Sequence, residues 1–285
     1  MKKKIAWVID STAYVTNALK QHPDVYVVPM VIIFGNDIYE DGITIQVDEL
    51  YEKMKAADTL PTTSQPAVGT FVELYEKLHE RYEKVIMLHI SAKLSGTYEA
   101  SRQAAEMAGL DYYVIDTKVT SAAISFLVEE GIYLEGQGKT FEEIIERLEE
   151  IVPTLENYIL IGNLQQLHKG GRMTNAQYVL GTLLSIKPIL QIQSGLIEVY
   201  EKVRSEKKAT KRIMEQCEAA FAQYNVNRVA VIHGNREQAA AEWKNMLLRI
   251  KPDIKVEIVP LPSTLAVHAG EGTLALMWYN TALEA

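Results

Sequence analysis

Alternating strand and helix patterns in the first half of the chain constrain the fold more than any other feature. Residues 4–9 and 84–90 are short, strongly apolar runs that indicate buried strands, and residues 112–116 indicate a third. Between such runs, apolar residues recur three or four positions apart, as in residues 71–82, which is helical spacing. Strand–helix alternation is typical of an α/β fold with a mainly parallel sheet. We therefore predict such a sheet for the N-terminal domain.

The second half of the chain has a different pattern. Two alternating runs, 189–193 and 196–202, flank Ser194-Gly195, and a two-residue turn containing glycine predicts a β-hairpin. The chain has 285 residues, and a typical domain has about 150. We predict two α/β domains, 1–153 and 154–285, the second containing the hairpin and the boundary following a long acidic helix.

Composition argues against several classes of partner and site. The 29 Lys and Arg residues against 37 Asp and Glu give a net charge of −8, which disfavours nucleic acid and anionic membranes as partners. No apolar run reaches the ~18 residues of a membrane span, so we expect a cytoplasmic protein without an integral membrane segment. The single cysteine, Cys217, cannot form an internal disulfide, and the six histidines lack metal-ligand spacing, so no metal site is predicted.

Hydroxyl side chains recur where predicted strands end. Three segments share this feature: Ser11-Thr12, Thr62-Thr63-Ser64 in a proline-framed loop at 60–67, and Ser95-Gly96-Thr97 before a helix. Ligands of open α/β sheets bind at the carboxyl ends of strands, and a helix N-terminus offers free N–H groups to an anion. Hydroxyls beside such N–H groups suit a carboxylate or phosphate oxygen. The same residue types are common caps and turn residues, and that interpretation stays open for Ser11 and Thr12.

Nucleophilic catalysis is the competing hypothesis. Ser95 lies between Leu94 and Gly96 and does not form a GxSxG elbow. Ser95, His268 and Asp10 would form a triad if the fold brought them together, because triads are recognised by geometry rather than by order in the chain. A serine hydrolase or small sugar-type enzyme using Ser95 and His268 is therefore the alternative.

Five short motifs follow one another over nearly the whole chain. They are Asp10-Ser11-Thr12, Pro61-Thr62-Thr63-Ser64-Gln65-Pro66, Ser95-Gly96-Thr97-Tyr98, Gly171-Arg172 and His268-Ala269-Gly270-Glu271-Gly272. In this order they resemble the DegV family of bacterial fatty acid-binding proteins. The resemblance implies two α/β domains with the ligand between them, and a long-chain fatty acid whose acyl chain lies in an apolar tunnel.

The resemblance also implies how the carboxylate is held. The threonine of the second motif, Thr62 or its neighbour Thr63, and Ser95 of the third would bind it, with His268 close by. The ligand-binding residues so implied are Thr62, Thr63, Ser95, Gly96, Thr97 and His268.

A partner follows from the same resemblance. Family members of known role present the fatty acid to a separate ATP-dependent fatty acid kinase, which makes the acyl phosphate used in phospholipid synthesis. The protein would then be a carrier with no catalytic residue of its own and no cofactor besides the bound fatty acid. Arg172 would meet the partner or the acyl phosphate. One departure is Lys169-Gly170-Gly171-Arg172, with two glycines where one is expected before the arginine.

The acyl chain should dominate the binding energy. Burying about fourteen CH₂ groups at ~0.8 kcal/mol each gains roughly 11 kcal/mol before ordering costs, whereas a neutral hydrogen bond adds about 0.5–1.5 kcal/mol. The candidate tunnel walls are the apolar residues of 25–34, 124–127 and 179–192, which are equally candidates for ordinary core.

Overall fold

The computed structural model describes residues 2–173 and 186–282. The chain divides into two compact units. The N-terminal unit comprises Met1–Val152 together with Pro262–Thr264, and the C-terminal unit comprises Pro153–Leu261 together with Leu265–Ala285. The N-terminal unit contains a parallel sheet and the C-terminal unit a mixed one, so the predicted α/β fold class is confirmed.

A four-stranded parallel sheet lies at the centre of the N-terminal unit. Its strands are β1 (Lys3–Asp10), β2 (Val25–Val28), β6 (Tyr82–His89) and β7 (Tyr112–Asp116), in the order β2-β1-β6-β7. The last six residues of β1 are all buried, as expected for a strand covered on both faces. Such a strand has a continuous apolar run, which is why the sequence identified it.

A second, antiparallel sheet in this unit was not predicted. Its strands are β3 (Val31–Phe34), β4 (Asp37–Glu40) and β5 (Thr62–Ser64), in the order β4-β3-β5. The apolar run 25–34 is thus shared between two sheets, because Pro29 has no N–H with which to continue a ladder. The loop predicted at 60–67 contains β5, whose threonines pair with β3.

Helices cover the parallel sheet of the N-terminal unit. They are α1 (Asn17–Gln21), α2 (Val47–Ala56), α3 (Val68–Arg81), α4 (Thr97–Met107), α5 (Ala122–Gly136) and α6 (Phe141–Ile151), followed by a 3₁₀ turn at Val152–Thr154. Phe71, Tyr75 and Leu78 recur at helical spacing on α3 and are buried in one core cluster with Val8 and Ala104. This packing fixes the start of α4 relative to the sheet.

The C-terminal unit is formed around a six-stranded sheet. Its strands are β8 (Leu155–Leu160), β9 (Lys187–Gln193), β10 (Leu196–Val203), β11 (Arg228–His233), β12 (Lys255–Pro260) and β13 (Leu274–Tyr279), in the order β10-β9-β8-β13-β11-β12. The pair β11–β12 is parallel, and the other neighbouring pairs are antiparallel. The predicted hairpin is confirmed as β9–β10, with positive φ at both Ser194 (48°) and Gly195 (85°), as a type I′ turn requires.

Four described helices accompany this sheet. They are α7 (Leu164–Lys169), α8 (Glu206–Gln223), α9 (Glu237–Ile250) and α10 (Ser263–Ala269), and the first two residues of α10 belong to the N-terminal unit. Cys217 on α8 is fully buried in the same core cluster as Trp243 and Trp278, and so acts as a small apolar residue.

Candidate functional site

The two hydroxyl-bearing segments 62–64 and 95–97 lie side by side in the N-terminal unit. Gly96 has ordinary backbone angles (φ −76°, ψ 5°), but a Cβ atom there would lie 2.1 Å from Gln65 Oε1. The Gln65 side chain therefore packs directly against the Gly96 backbone. The contact places the end of β5 beside the start of α4, and it explains why glycine separates Ser95 from Thr97.

Ser95 and Thr97 form a hydroxyl pair at the N-terminus of α4. Their Oγ and Oγ1 atoms lie 2.8 Å apart, and the Thr97 N–H donates to Ser95 Oγ at 3.4 Å. Thr97 is fully buried, whereas Ser95 is half-buried. Thr97 Oγ1 also lies 3.4 Å from Met30 Sδ, which is a weak acceptor. When Thr97 donates its single hydroxyl proton to Ser95 instead, the Ser95 proton is free to be donated to a ligand oxygen.

The threonines of β5 lie on opposite faces of a short strand. Thr62 pairs with Ile33 and Thr63 with Ile32, so their side chains alternate across the small sheet. Thr62 is exposed and Thr63 is half-buried. The Thr62 hydroxyl is therefore the more accessible of the two, which favours Thr62 over Thr63 as the residue that meets a ligand.

The hydroxyls that follow β1 are engaged in local hydrogen bonds. Thr12 Oγ1 donates to Asp10 Oδ1, and Ser11 Oγ donates to Asp41 Oδ2 at 3.1 Å. Asp41 also accepts the Thr264 N–H at 3.0 Å. Burial raises the pKa of the Asp41 carboxyl, and the hydrogen bonds from Thr264, Ser263 and Ser11 only partly offset this effect. These contacts favour the structural interpretation of Ser11 and Thr12.

Asp10 belongs to a buried hydrogen-bonded chain that the sequence did not reveal. Its Oδ2 atom lies 3.1 Å from His89 Nδ1, and His89 Nε2 lies 2.7 Å from Ser101 Oγ, which in turn bonds Tyr75 OH at 2.5 Å. Asp10, His89, Ser101 and Tyr75 are all fully buried. The order Asp–His–Ser is that of a triad, but the Ser101 hydroxyl is already bonded to both His89 and Tyr75, which leaves it no free position for a substrate.

The electrostatics of the hydrogen-bonded series Asp10–His89–Ser101–Tyr75 suit a structural role. Burial alone would raise the pKa of the Asp10 carboxyl, but hydrogen bonds from His89, Thr12 and the Ile90 N–H outweigh it and hold this pKa below its usual value. Asp10 and His89 end the adjacent strands β1 and β6, which was the available sequence signal. Asp10, proposed above as the acid of a triad, therefore orients His89.

His268 and Arg172 lie next to each other in the C-terminal unit. Burial lowers the pKa of His268 to about 4, and the positive charge of Arg172 adds to the effect. The imidazole is therefore neutral at pH 7. Burial likewise lowers the pKa of the Arg172 guanidinium, which donates to the Gly170 carbonyl at 2.5 Å. A neutral ring beside a fixed positive charge suits contact with an anionic head group.

The two glycines before Arg172 have different functions. A Cβ atom at Gly170 would lie 2.3 Å from His268 Nδ1, so the imidazole packs on the Gly170 backbone. Gly171 has open space around its Cα but a φ of +72°, a left-handed conformation that favours glycine. Gly170 is therefore the glycine that makes room for the His268 ring, and Gly171 is the one that forms the turn.

A sequence model of the DegV family, described as a family of uncharacterised proteins, matches residues 4–281. The chain belongs to the DegV family. Protein DegV of Bacillus subtilis is 34% identical over 276 residues, which covers 96% of this chain and 98% of that protein. The resemblance inferred from the five motifs is confirmed.

Solved structures of DegV-family proteins are similar over almost their full length. The fatty acid binding DegV family protein of Streptococcus agalactiae has a TM-score of 0.92 at 34% identity, with 98% of this chain and 99% of that chain covered. The Fatty Acid Kinase (Fak) B3 protein of Streptococcus pneumoniae, solved with linoleic acid, has a TM-score of 0.84 at 20% identity, with 98% and 100% covered. The second comparison shows the fold alone.

The candidate tunnel residues of this DegV-family chain lie in several elements. Val28 and Ile32 are buried in β2 and β3, and Ile124 and Leu127 are buried in α5. Of the third candidate run, 179–192, residues 179–185 lie outside the described residues.

Residues 2–173 and 186–282 contain neither a cluster of metal ligands nor a membrane-spanning helix. In that part of the chain no group of three or more His, Cys, Asp or Glu side chains is arranged to hold a metal ion. Within the same ranges, no helix combines the length and the apolar character needed to cross a bilayer.

Proposed function

We propose that this protein binds a long-chain fatty acid and presents it to an ATP-dependent fatty acid kinase. The observation that carries the proposal is the Gln65–Gly96 contact, which joins two hydroxyl-bearing segments in one unit. Thr62 and Ser95 would bind the carboxylate, with Gly96 and Thr97 shaping their surroundings. The solved relatives described as fatty acid binding support the same ligand class.

Hydroxyl donors fit an acid whose acyl chain supplies most of the affinity. A carboxylate removed from water without partners is costly, so its hydrogen bonds position it even where their net contribution is small. His268 is a further predicted contact of this carboxylate. Its neutral imidazole donates through one ring nitrogen without adding a charge that would hold the acid too tightly for transfer.

Presentation to a kinase assigns the chemistry to the partner. The carboxylate oxygen attacks the γ-phosphorus of ATP, the bond from that phosphorus to the bridging oxygen breaks, and acyl phosphate and ADP result. The Streptococcus pneumoniae protein with the same fold is described as a fatty acid kinase B3 protein, which supports this partner class. Arg172 would contact the partner or the acyl phosphate, whose charge its guanidinium complements.

Mass spectrometry of the purified protein, native and then denatured, tests the proposal first. We expect a released long-chain fatty acid at about one per chain, whose mass also gives the chain length. A protein that is empty and takes up no added fatty acid contradicts the proposal. Turnover of esters together with labelling of Ser95 by a serine-directed probe would favour the hydrolase alternative instead.

Paired variants then test the head-group assignment. Ser95→Ala and Thr62→Val should each weaken fatty acid binding about tenfold, since each removes a hydrogen bond to a charged group. Thr63→Val is the matched control and should bind nearly as the wild type. A larger loss in Thr63→Val than in Thr62→Val would reverse the assignment of the two threonines.

The kinase role of Arg172 is tested separately. With purified kinase from the same organism and ATP, hydroxylamine trapping measures acyl phosphate. Arg172→Ala should retain bound fatty acid and slow trapping at least tenfold, while Lys169→Ala, which removes a nearby positive charge, should not. Loss of fatty acid from Arg172→Ala would show that the arginine serves binding.

A further inference from the structure

Ser121 stands at the carboxyl end of the parallel sheet, immediately before α5. Its N–H donates to the Thr12 carbonyl at 2.9 Å, and it forms an isolated bridge with Ala13, just beyond β1. The loop that contains Ser121 is bonded to the loop that contains Ser95. Ser91 N–H donates to the Val119 carbonyl, and Ser95 N–H to the Ser91 carbonyl, both at 3.1 Å.

The backbone of Ser121 adopts a conformation that glycine would adopt at lower cost. Its angles are φ 58° and ψ −135°. Lys118, three residues earlier, also has a positive φ, of 56°. The surrounding structure holds this loop in place, because Asp116 Oδ1 accepts both the Lys118 N–H (3.1 Å) and the Ala92 N–H (3.0 Å). Strained residues held in this way cluster at binding sites.

The buried side chain of Ser121 makes a second unfavourable contribution to the free energy of folding. The residue is 1% exposed, and among residues 2–173 and 186–282 its buried Oγ atom has no hydrogen-bond partner. It makes no capping bond to α5, although serine at this position usually does. A buried hydroxyl in a native protein is normally bonded, so an unbonded one calls for a ligand or a water molecule.

The position of this hydroxyl favours an anion. Ser121 is the N-cap of α5, a helix of fifteen residues with no acidic side chain in its first turn. The N-terminus of such a helix carries a partial positive charge and unpaired N–H groups. A serine proton donor there complements a carboxylate oxygen.

We propose that Ser121 Oγ donates a hydrogen bond to the carboxylate of the bound fatty acid. The inference rests on the proposed function and adds a residue that none of the five motifs contains. Use of the hydroxyl by the ligand would explain why a serine occupies a backbone position suited to glycine.

Two variants of Ser121 separate the ligand role from a structural one. Ser121→Gly relieves the backbone and removes the hydroxyl, so the melting temperature should rise by about 1–3 °C while affinity for the fatty acid falls about tenfold. Ser121→Ala removes the hydroxyl without relieving the backbone and should show the same loss of affinity. For the primary alcohol of equal chain length, which has no charge, both variants should lose less than about threefold.

Ser125→Ala is the control on the same helix. Ser125 is equally buried, but its Oγ donates to the Tyr14 carbonyl. Its loss should lower the melting temperature and leave the ratio of acid to alcohol affinity unchanged.

The wild type is measured first with the fatty acid. If it takes up no fatty acid, both the proposed function and the role of Ser121 are overturned. If it binds, and both Ser121 variants bind the acid as tightly, only the role of Ser121 is overturned, and the hydroxyl serves a buried water.

Discussion

Gly170→Ala is expected to displace the His268 ring from its buried position. The added Cβ would lie 2.3 Å from His268 Nδ1 and 3.0 Å from Cε1, so the ring must retreat by about 1 Å to reach ordinary contact distance. Alanine fits the Gly170 backbone itself, whose φ is −69°. The perturbation therefore acts on the imidazole rather than on the turn.

The pKa of His268 measures how far the ring moves. Its value of about 4, against 6.5 for a free imidazole, corresponds to about 3 kcal/mol favouring the neutral form. The folded state thus binds fewer protons than the unfolded state between these values. Through His268, stability should fall by up to about 3 kcal/mol as the pH falls from 6.5 to 4, and should be unaffected above that window. In Gly170→Ala the pKa of His268 should rise by about one unit, and the loss of stability at low pH should become smaller.

Histidine side-chain NMR across a pH titration is the assay, with the His268 signal assigned by its absence in His268→Gln. Gly171→Ala is the control, because its φ of +72° makes alanine strained although there is open space for the methyl group. It should lower stability without moving the His268 pKa. A wild-type pKa near 6.5, or equal pKa changes in the two alanine variants, would refute the reasoning.

Two further predictions concern close approaches in the N-terminal unit. Gly131→Ala should destabilise the protein by about 2–3 kcal/mol in chemical denaturation, because the new Cβ would lie 2.2 Å from the fully buried Trp7 ring. The control, Gly136→Ala on the same helix, has open space and should be neutral or stabilise the protein by about 0.5 kcal/mol. Equal losses of stability in the two variants would contradict the packing argument. Gly96→Ala and Gln65→Ala should each lower the free energy of unfolding by about 1 kcal/mol. The double variant should lose no more stability than one of them, because the new methyl group takes the space that the Gln65 side chain leaves. Additive losses of stability would show that the two residues are not in contact.

The Asp10 side chain shows where sequence reasoning about the site ended. The sequence placed Asp10 at a strand end, which is correct, but offered His268 as its partner because any histidine satisfies a triad on paper. The partner is His89, because β1 and β6 are parallel neighbours whose register pairs Ile9 with Leu88 and so brings the residues that end the two strands together. Strand order is a property of the sheet and has no local signal.

Strand β5 and Ser121 were missed for a related reason. Three residues between prolines carry no periodic pattern, and pairing with β3 makes them a strand. A serine with φ of 58° looks like any other serine in the sequence. Only the loops packed around it hold that conformation.

The sequence alone determined the class of the fold, the hairpin and the family, because buried strands, helical spacing, turn residues and short motifs are local patterns. The tertiary structure decided which polar groups meet. It joined Gln65 to Gly96, placed His268 on Gly170, and left the buried Ser121 hydroxyl without a partner in the described part of the chain. These contacts depend on the approach of segments distant in the chain, which side-chain packing fixes and no short pattern encodes.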